Sequence, residues 1–247
     1  PGLITSNHNV MILLKNMGDN LRSDFVKLIR KMPIIRDLAI ASYRIFKQFP
    51  GSETYWIDRY KKGGHSGPGS YNKLAEFKAE IINEFVKTNE IKSIIEYGCG
   101  DGNQLKLADY PNYLGFDVSR DVISTCKYLF NSDHTKRFKL MGEYDGEHAE
   151  LTLSLDVIYH LVEDDVFDKY MRILFDSSDR FVIIYSSNKC LKFSLEVPHI
   201  KHRKFTEWIN ENLFGWELIC HIPNKYPYRG DITIGSFSEF YIFKKEI

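Results

Sequence analysis

Apolar positions from about residue 73 onward follow two alternating spacings. Short apolar runs typical of buried strands alternate with segments in which apolar residues recur every three or four positions, as in helices. The predicted strands are Lys92–Tyr97, Tyr113–Asp117, Arg137–Met141, Leu151–Val157, Phe181–Ser186, Trp216–Ile222 and Phe237–Lys244. The predicted helices are Lys73–Lys87, Arg120–Phe130, Asp164–Phe175 and Phe205–Asn212. This alternation predicts an α/β fold with a doubly wound, mostly parallel sheet.

The first fifty residues carry a helical pattern of their own. Apolar residues recur at helical spacing from Val10 to Phe49 and are interrupted by Pro33, which predicts a helical extension over residues 1–50 before a main domain over 51–247. We expect the extension to cap the domain or to form a homodimer surface. Because basic residues accompany its apolar face, a helix lying at a membrane interface is the alternative.

A segment rich in glycine and aromatic residues joins these two parts. It runs from Tyr55 to Tyr71, and its glycines and proline predict that it contains no regular element. Aromatic, basic and glycine residues this close together favour a functional loop over a plain surface loop.

Composition argues against several classes of partner and site. Lys plus Arg (33) equals Asp plus Glu (33), so the chain has no net charge to attract nucleic acid or anionic lipid. The four cysteines are scattered without a C-x-x-C pair, which argues against a zinc site or a disulfide framework. No apolar run is long enough to span a bilayer and no secretory leader is visible, so we expect a cytoplasmic protein without a transmembrane segment or a nucleic-acid partner.

The clearest chemistry follows the first predicted strand, in the run from Glu96 to Gly102, which reads E-Y-G-C-G-D-G. Alternating glycines after a strand bring bare backbone N–H groups close to a ligand. Asp117, at the tip of the next strand, can accept hydrogen bonds from two ribose hydroxyls. The spacing differs from the G-x-G-x-x-G of dinucleotide sites, and Glu96 would repel a pyrophosphate but suits a sulfonium with an amino group.

These residues resemble the first motif of the class I S-adenosylmethionine-dependent methyltransferases, in its E-x-G-C-G-x-G form. The resemblance continues through Tyr113–Ser119, similar to the family's second-strand motif, and Leu153–Leu161, similar to its fourth-strand segment. It implies a Rossmann-like, seven-stranded sheet with an antiparallel last strand. It also implies S-adenosylmethionine (SAM) as the cofactor and S-adenosylhomocysteine (SAH) as the product.

The same resemblance implies a set of cofactor contacts. Glu96 would orient the amino-acid end, while Asp117 and Val118 would hold the nucleoside. The glycines that would shape the loop are Gly98, Gly100 and Gly102.

Three further contacts are implied by the resemblance. Glu143, after the third strand, would meet the adenine amine. Asp156 would border the donor site or, on the alternative interpretation, be a buried acid that caps nearby backbone. Residues 54–72 would fold over the cofactor as a lid, in which Arg59 would pair bidentately with the methionine carboxylate.

The candidate catalytic residues are His160, His199 and Arg203. His160 follows the fourth strand, where similar enzymes carry a histidine facing the methyl group, and a histidine can take a proton near neutral pH; a structural histidine is the alternative. His199 and Arg203 lie in a basic stretch that suits an anionic or polyhydroxylated acceptor, or is merely a solvated segment. His199-x-x-His202 has a spacing that a metal could use, but no acid or cysteine set completes a site, so no metal is expected.

Two segments narrow the expected acceptor. W-x-x-R-Y-x-x-G-G-x-S-G, from Trp56, and H-R-K-F-x-x-W, from His202, resemble a subset of bacterial methyltransferases of capsule and O-antigen biosynthesis. That resemblance implies a small-molecule or glycan-linked acceptor: a sugar hydroxyl, or a phosphate or phosphoramidate group. An ionised acceptor oxygen would need no base. A methyltransferase of another small metabolite and a non-catalytic SAM-binding protein stay open as alternatives.

Overall fold

The computed structural model describes residues 49–189 and 197–246. The chain divides into two compact units, one of Pro1–Phe49 with Ser194–Pro198 and the other of Pro50–Phe193 with His199–Ile247. The helices predicted between residues 10 and 49 fall almost wholly outside the described residues. The fold given below is that of the second unit.

A seven-stranded sheet forms the centre of this unit. In chain order its strands are β1 (Ile94–Tyr97), β2 (Tyr113–Asp117), β3 (Lys136–Leu140), β4 (Ala149–Leu155), β5 (Ser178–Ser186), β6 (Trp216–Ile222) and β7 (Glu239–Lys245). Their spatial order is β3-β2-β1-β4-β5-β7-β6. Neighbours from β3 to β5 are parallel, and β7 is antiparallel to both β5 and β6. The predicted doubly wound sheet with an antiparallel last strand is confirmed.

Five α-helices are described in this unit: α1 (Ser52–Lys61), α2 (Asn72–Thr88), α3 (Arg120–Leu129), α4 (Asp164–Asp176) and α5 (Phe205–Asn212). Helix α1 contradicts the prediction that Tyr55–Tyr71 contains no regular element. The helix-breaking residues begin only at Gly63, so the glycine-free run before it forms a helix, and a 3₁₀ turn follows at Pro68–Ser70. The connection from the glycine loop to β2 is too short for an α-helix and holds only the 3₁₀ turn Leu105–Leu107.

Both faces of the sheet are covered. Along β1, Ile94 packs into the layer that includes Ile82 of α2, while Ile95 packs into the opposite layer with Met171 of α4. Successive residues of a strand point to opposite faces, so a strand buried on both sides is mostly apolar along its length. This explains why the central strands could be located from short apolar runs.

The strand order fixes where a ligand can sit. Strand β1 has β2 on one side and β4 on the other, so the chain leaves the middle of the sheet in opposite directions at the carboxyl end of β1. Open α/β sheets bind ligands in the crevice at such a switch point. Of the helices in the described ranges, none is long and apolar enough to cross a membrane.

Candidate functional site

A cavity of about 530 Å³ lies at the carboxyl ends of β1, β2 and β4, a volume within the usual range for a small-molecule site. Seven of the predicted site residues line it: Glu96, Gly98, Gly100, Asp117, Val118, Asp156 and His160. Five predicted residues are not part of its lining: Arg59, Gly102, Glu143, His199 and Arg203.

The glycine loop has a backbone conformation that other residue types could adopt only with strain. Gly98 and Gly100 have φ values of +82° and +59°, in the left-handed region. A Cβ on Gly98 would lie 2.6 Å from Val157 Cγ2, and one on Gly100 would overlap Ser66 Oγ. The loop is therefore pressed between the end of β4 and the segment that follows α1, which only glycine permits.

Asp117 fastens this loop to the end of β2. Its carboxylate accepts hydrogen bonds from the backbone N–H of Gly100 at 3.1 Å and of Ser119 at 3.0 Å. The residue is 7% exposed, and burial raises its pKa to about 6 although the backbone hydrogen bonds lower it. Its position and hydrogen-bond capacity suit ligand hydroxyls at the cavity wall.

Glu96 is the second buried acid of the cavity. It is 4% exposed, and Tyr113 Oη donates a hydrogen bond to its Oε2 at 2.6 Å. Burial raises its pKa to about 7, while that hydrogen bond and the charge of Lys78 act in the opposite direction. A ligand that brings a cation to Glu96 would stabilise its ionised form.

Gln104 and Lys78 are two of the lining residues that were not predicted from the sequence. Gln104 is 7% exposed; its Nε2 donates to the Ala75 carbonyl at 3.0 Å, and its Oε1 has no hydrogen-bond partner. Since the amide nitrogen must face that carbonyl, the unpaired atom is an acceptor that a ligand N–H or O–H could satisfy. Lys78 is 1% exposed, and its signal was a lysine on the apolar face of a predicted helix.

Asp156 is engaged by the protein although it lines the cavity. Its Oδ2 accepts from Lys78 Nζ at 3.0 Å, and its Oδ1 accepts from Ser238 Oγ at 2.7 Å and Tyr159 Oη at 3.1 Å. These bonds agree with the alternative interpretation of a largely buried acid bonded to its neighbours, except that its partners are side chains.

His160 stands at the β4 side of the cavity. Its Nδ1 lies 3.1 Å from the backbone oxygen of His199, and its ring meets the edge of Trp56 at 4.8 Å between centroids. Burial lowers its pKa to about 3. The imidazole is therefore neutral throughout the physiological pH range, and it is a weaker base than the ordinary histidine expected from the sequence.

His199 and Arg203 lie behind His160. The His199 ring stacks on Tyr55 at 4.4 Å, and burial lowers its pKa to about 4. Arg203 donates to the carbonyls of Leu161 at 2.6 Å and Val162 at 3.0 Å, and pairs with Asp164 at 2.7 Å. Its guanidinium thus fixes the segment after β4, so it does not present the free charge to an acceptor that we expected.

Arg59 and Glu143 also make bonds within the protein. The Nε of Arg59 donates to the His65 carbonyl at 2.8 Å, which holds the end of α1 against the following turn. Glu143 accepts from the Leu140 backbone N–H at 3.0 Å, while its neighbours Gly142 and Tyr144 line the cavity. Gly102 faces Phe130 and Cys126, so its close approach is to the region of α3.

Helix α1 lies along the cavity and is fastened at both ends. Ser52 Oγ donates to Glu163 at 2.5 Å and accepts from the Val162 N–H at 2.9 Å. Beyond α1, the Asp101 carboxylate accepts from the Ser66 N–H and from Tyr71 Oη, both at 2.8 Å. Ser52, Trp56 and Tyr60 contribute to the lining. The helix therefore bridges the β4 loop and the glycine loop.

Among the described residues, no group of three or more His, Cys, Asp or Glu side chains could hold a metal ion.

Several solved structures similar to this chain are methyltransferases. The methyltransferase domain of bacterial CtHen1-C is 20% identical over 69% of this chain and 97% of that chain, with a TM-score of 0.51. Magnesium protoporphyrin IX methyltransferase from Synechocystis PCC 6803, with bound SAH, is 14% identical over 76% and 94%, with a TM-score of 0.53. N-methyltransferase NodS from Bradyrhizobium japonicum WM9, in complex with SAH, is 11% identical over 70% and 87%, with a TM-score of 0.52.

No family model and no curated protein matches the chain. At these identities the structural likeness shows the fold, which is the class I methyltransferase fold implied by the glycine loop. The neighbours named above belong to the predicted enzyme class, and two of them carry the predicted product SAH.

Proposed function

We propose that this protein is a SAM-dependent O-methyltransferase that acts on a polar acceptor, a sugar hydroxyl or a phosphate or phosphoramidate group, in bacterial surface-polysaccharide biosynthesis. The observation that carries the methyltransferase proposal is that one cavity joins Glu96, Asp117 and the glycine loop to His160. The polysaccharide role rests on the resemblance of the segments that begin at Trp56 and His202.

The residues present fit SAM. Glu96 and the unpaired Oε1 of Gln104 are buried acceptors that would hold an ammonium group, and Asp117 would hold ribose hydroxyls. The apolar stretch formed by Phe116, Met141 and Tyr144 would take the base. When bound, SAM supplies a methyl group already activated by a sulfonium, so the protein mainly has to align the acceptor and handle its proton.

The sheet order separates a donor side from an acceptor side. The residues at the carboxyl ends of β2 and β3, among them Asp117 and Gly142, lie on one side of the glycine loop. His160 and Leu161, after β4, lie on the other. An acceptor bound beside His160 would thus approach from the side opposite the nucleoside, and α1 would exclude water between them.

Calorimetry and methyl transfer test this proposal. We expect SAM and SAH to bind the full chain, and tritiated methyl from SAM to pass to cell-surface glycan precursors. Absence of binding to either ligand would contradict the proposal. Binding without transfer to any acceptor in a broad panel would instead support the non-catalytic alternative.

His160→Ala tests the acceptor side separately. We expect turnover to fall by on the order of a hundredfold with SAH affinity nearly unchanged, because the residue is assigned to proton handling. The control is His148→Ala, since His148 is 52% exposed, pairs with Asp179 and is not part of the cavity lining. Equal turnover in the two variants would reduce His160 to a structural role.

A further inference from the structure

We infer that the reacting acceptor atom is an uncharged hydroxyl oxygen that donates its hydrogen to Nε2 of His160, and that an ionised phosphate oxygen or an ammonium group is not the acceptor. This inference rests on the proposed methyltransferase function and selects one acceptor class for the same site.

The hydrogen bond to His199 determines the tautomer of His160. Its Nδ1 lies 3.1 Å from the backbone oxygen of His199, which has lone pairs but no hydrogen to give. The hydrogen between them must therefore be on Nδ1. A neutral imidazole carries only one N–H, so Nε2 presents a lone pair. Because His160 lines the cavity and its Nδ1 is bonded to the His199 carbonyl, Nε2 is the ring nitrogen left for an acceptor.

The groups around His160 determine which charge an acceptor meets there. The groups that act on it are His199, which burial keeps neutral at physiological pH, Asp156, which is paired with Lys78, and Arg59 of α1. Tyr159 and Trp56 complete its ring contacts. Burial lowers the pKa of both His160 and His199, and the Arg59 charge lowers both further; the same positive charge opposes an ammonium beside these rings.

An ionised oxygen does not fit beside Nε2 of His160. Such an oxygen has only lone pairs to present, and these would face the lone pair of Nε2. Two basic residues of the stretch before α5, Lys201 and Arg203, are both paired with Asp164. Lys169 lines the cavity from an exposed position on α4, where it could meet an anionic part of the acceptor away from the reacting atom. A hydroxyl oxygen, by contrast, can donate to Nε2 and keep a lone pair for attack.

The step balances with these groups alone. The hydroxyl oxygen forms a bond to the methyl carbon with one lone pair, while the carbon–sulfur bond breaks and its electron pair stays on sulfur. The hydroxyl proton passes to Nε2. The resulting imidazolium keeps its Nδ1–H on the His199 carbonyl and then releases the proton from Nε2 to water. The products are the methyl ether and SAH.

The tautomer can be tested without an acceptor. The full chain, labelled with ¹⁵N-histidine and saturated with SAH, would be examined by NMR between pH 5 and pH 8, with His160→Gln used only to assign the resonance. We expect one neutral form throughout, with the hydrogen on Nδ1. A hydrogen on Nε2, or an imidazolium that persists through this range, would overturn the inference.

A second arm tests the acceptor class. The probes are a panel of methyl glycosides, the matching 6-phosphates and the matching 2-amino sugars, each offered with tritiated SAM. We expect methyl ethers, and label on phosphate oxygen or nitrogen lower by about a hundredfold or more. Preferential label on phosphate or nitrogen would overturn the inference. Absence of SAH binding would contradict the proposed function instead. If SAH binds but no probe is labelled, the tautomer of His160 found by NMR decides whether the inference stands.

Discussion

Two of the carboxylic acids that line the cavity are almost fully buried. Glu96 is 4% exposed and Asp117 is 7% exposed, and burial raises both pKa values, to about 7 and about 6. Near neutral pH without a ligand, a substantial fraction of Glu96 is therefore protonated. A ligand that offers a cation or several donors should shift these equilibria, which makes the acids sensitive reporters of binding.

Affinity for SAH should rise with pH through Glu96. A bound ammonium favours the ionised form, so the observed affinity follows the ionised fraction of the ligand-free protein. With a pKa of about 7, that fraction rises about eightfold from pH 6 to pH 7.5, and the association constant measured by calorimetry should rise with it. Glu96→Gln removes this dependence and leaves the weaker contribution of Asp117. The same slope in the variant and the parent would show that Glu96 does not meet the ligand.

Gly100 offers a test of the glycine loop. Gly100→Ala places a methyl group against Ser66, whose Oγ accepts from the Asp101 N–H at 2.9 Å, so we expect SAH affinity to fall about tenfold or more. Gly146→Ala is the control, because Gly146 also has a positive φ, +78°, but a Cβ there meets nothing within 4 Å. Both variants carry a backbone strain of about 1 kcal/mol. Equal SAH affinities in the two variants would exclude the close approach as the reason for glycine.

For single residues, the sequence predicted which side chains at strand ends line the cavity. It did not predict where the long basic side chains bind. Glu96, Asp117 and the first two glycines lie where the strand ends put them. Arg59 and Arg203 carry charges that suit ligands, yet backbone carbonyls bind both guanidiniums. Which partner a long flexible side chain chooses depends on tertiary contacts that no local pattern encodes.

Helix α1 and the turn that follows it form the element that closes the site. The glycines after Lys61 predicted a functional segment, but they hid the helix that precedes them. Asp101 connects this element to the glycine loop, since one carboxylate oxygen accepts from both Ser66 and Tyr71. The element and the loop are therefore expected to become ordered together when a ligand binds.

Asp101→Asn should weaken this closure. The amide can keep one acceptor, but its NH₂ group would face one of the donors that Asp101 satisfies, so we expect faster hydrogen exchange over residues 52–71 and weaker SAH binding. Asp133→Asn is the control, because Asp133 accepts from both the N–H and the hydroxyl of Thr135 in an exposed turn outside the cavity. Unchanged exchange over 52–71 in Asp101→Asn would mean that other contacts hold the element.

At the scale of the whole unit, the sheet could be predicted and the links across it could not. Apolar runs mark strands buried on both faces, and the resemblance supplied the antiparallel last strand. The ion pair between Lys78 of α2 and Asp156 after β4 joins positions 78 residues apart. A lysine on an apolar helix face signals a buried partner, but only the fold identifies that partner.

This pair gives the last prediction, in which one contact reports on how α2 is held to the end of β4. Lys78 is 1% exposed; its ammonium pairs with Asp156, lies over the Tyr185 ring at 5.2 Å and acts electrostatically on Glu96, whereas Asp156 also accepts from Tyr159 and Ser238. Asp156→Asn therefore leaves the Lys78 ammonium without its paired carboxylate and should lower the free energy of unfolding by about 3 kcal/mol or more. For Lys78→Met we expect a loss of about 2 kcal/mol.

Urea unfolding of both single variants and the double variant measures the coupling. We expect the double variant to lose less than the sum of the single losses by about 1 kcal/mol or more, because removing both charges leaves neither one unpaired. The matched cycle is Arg172 with Asp168, an exposed pair one turn apart on α4, where the losses should be additive within experimental error. Additive losses at Lys78 and Asp156 would mean that the two charges do not depend on each other, and that α2 is held to β4 by its apolar face alone.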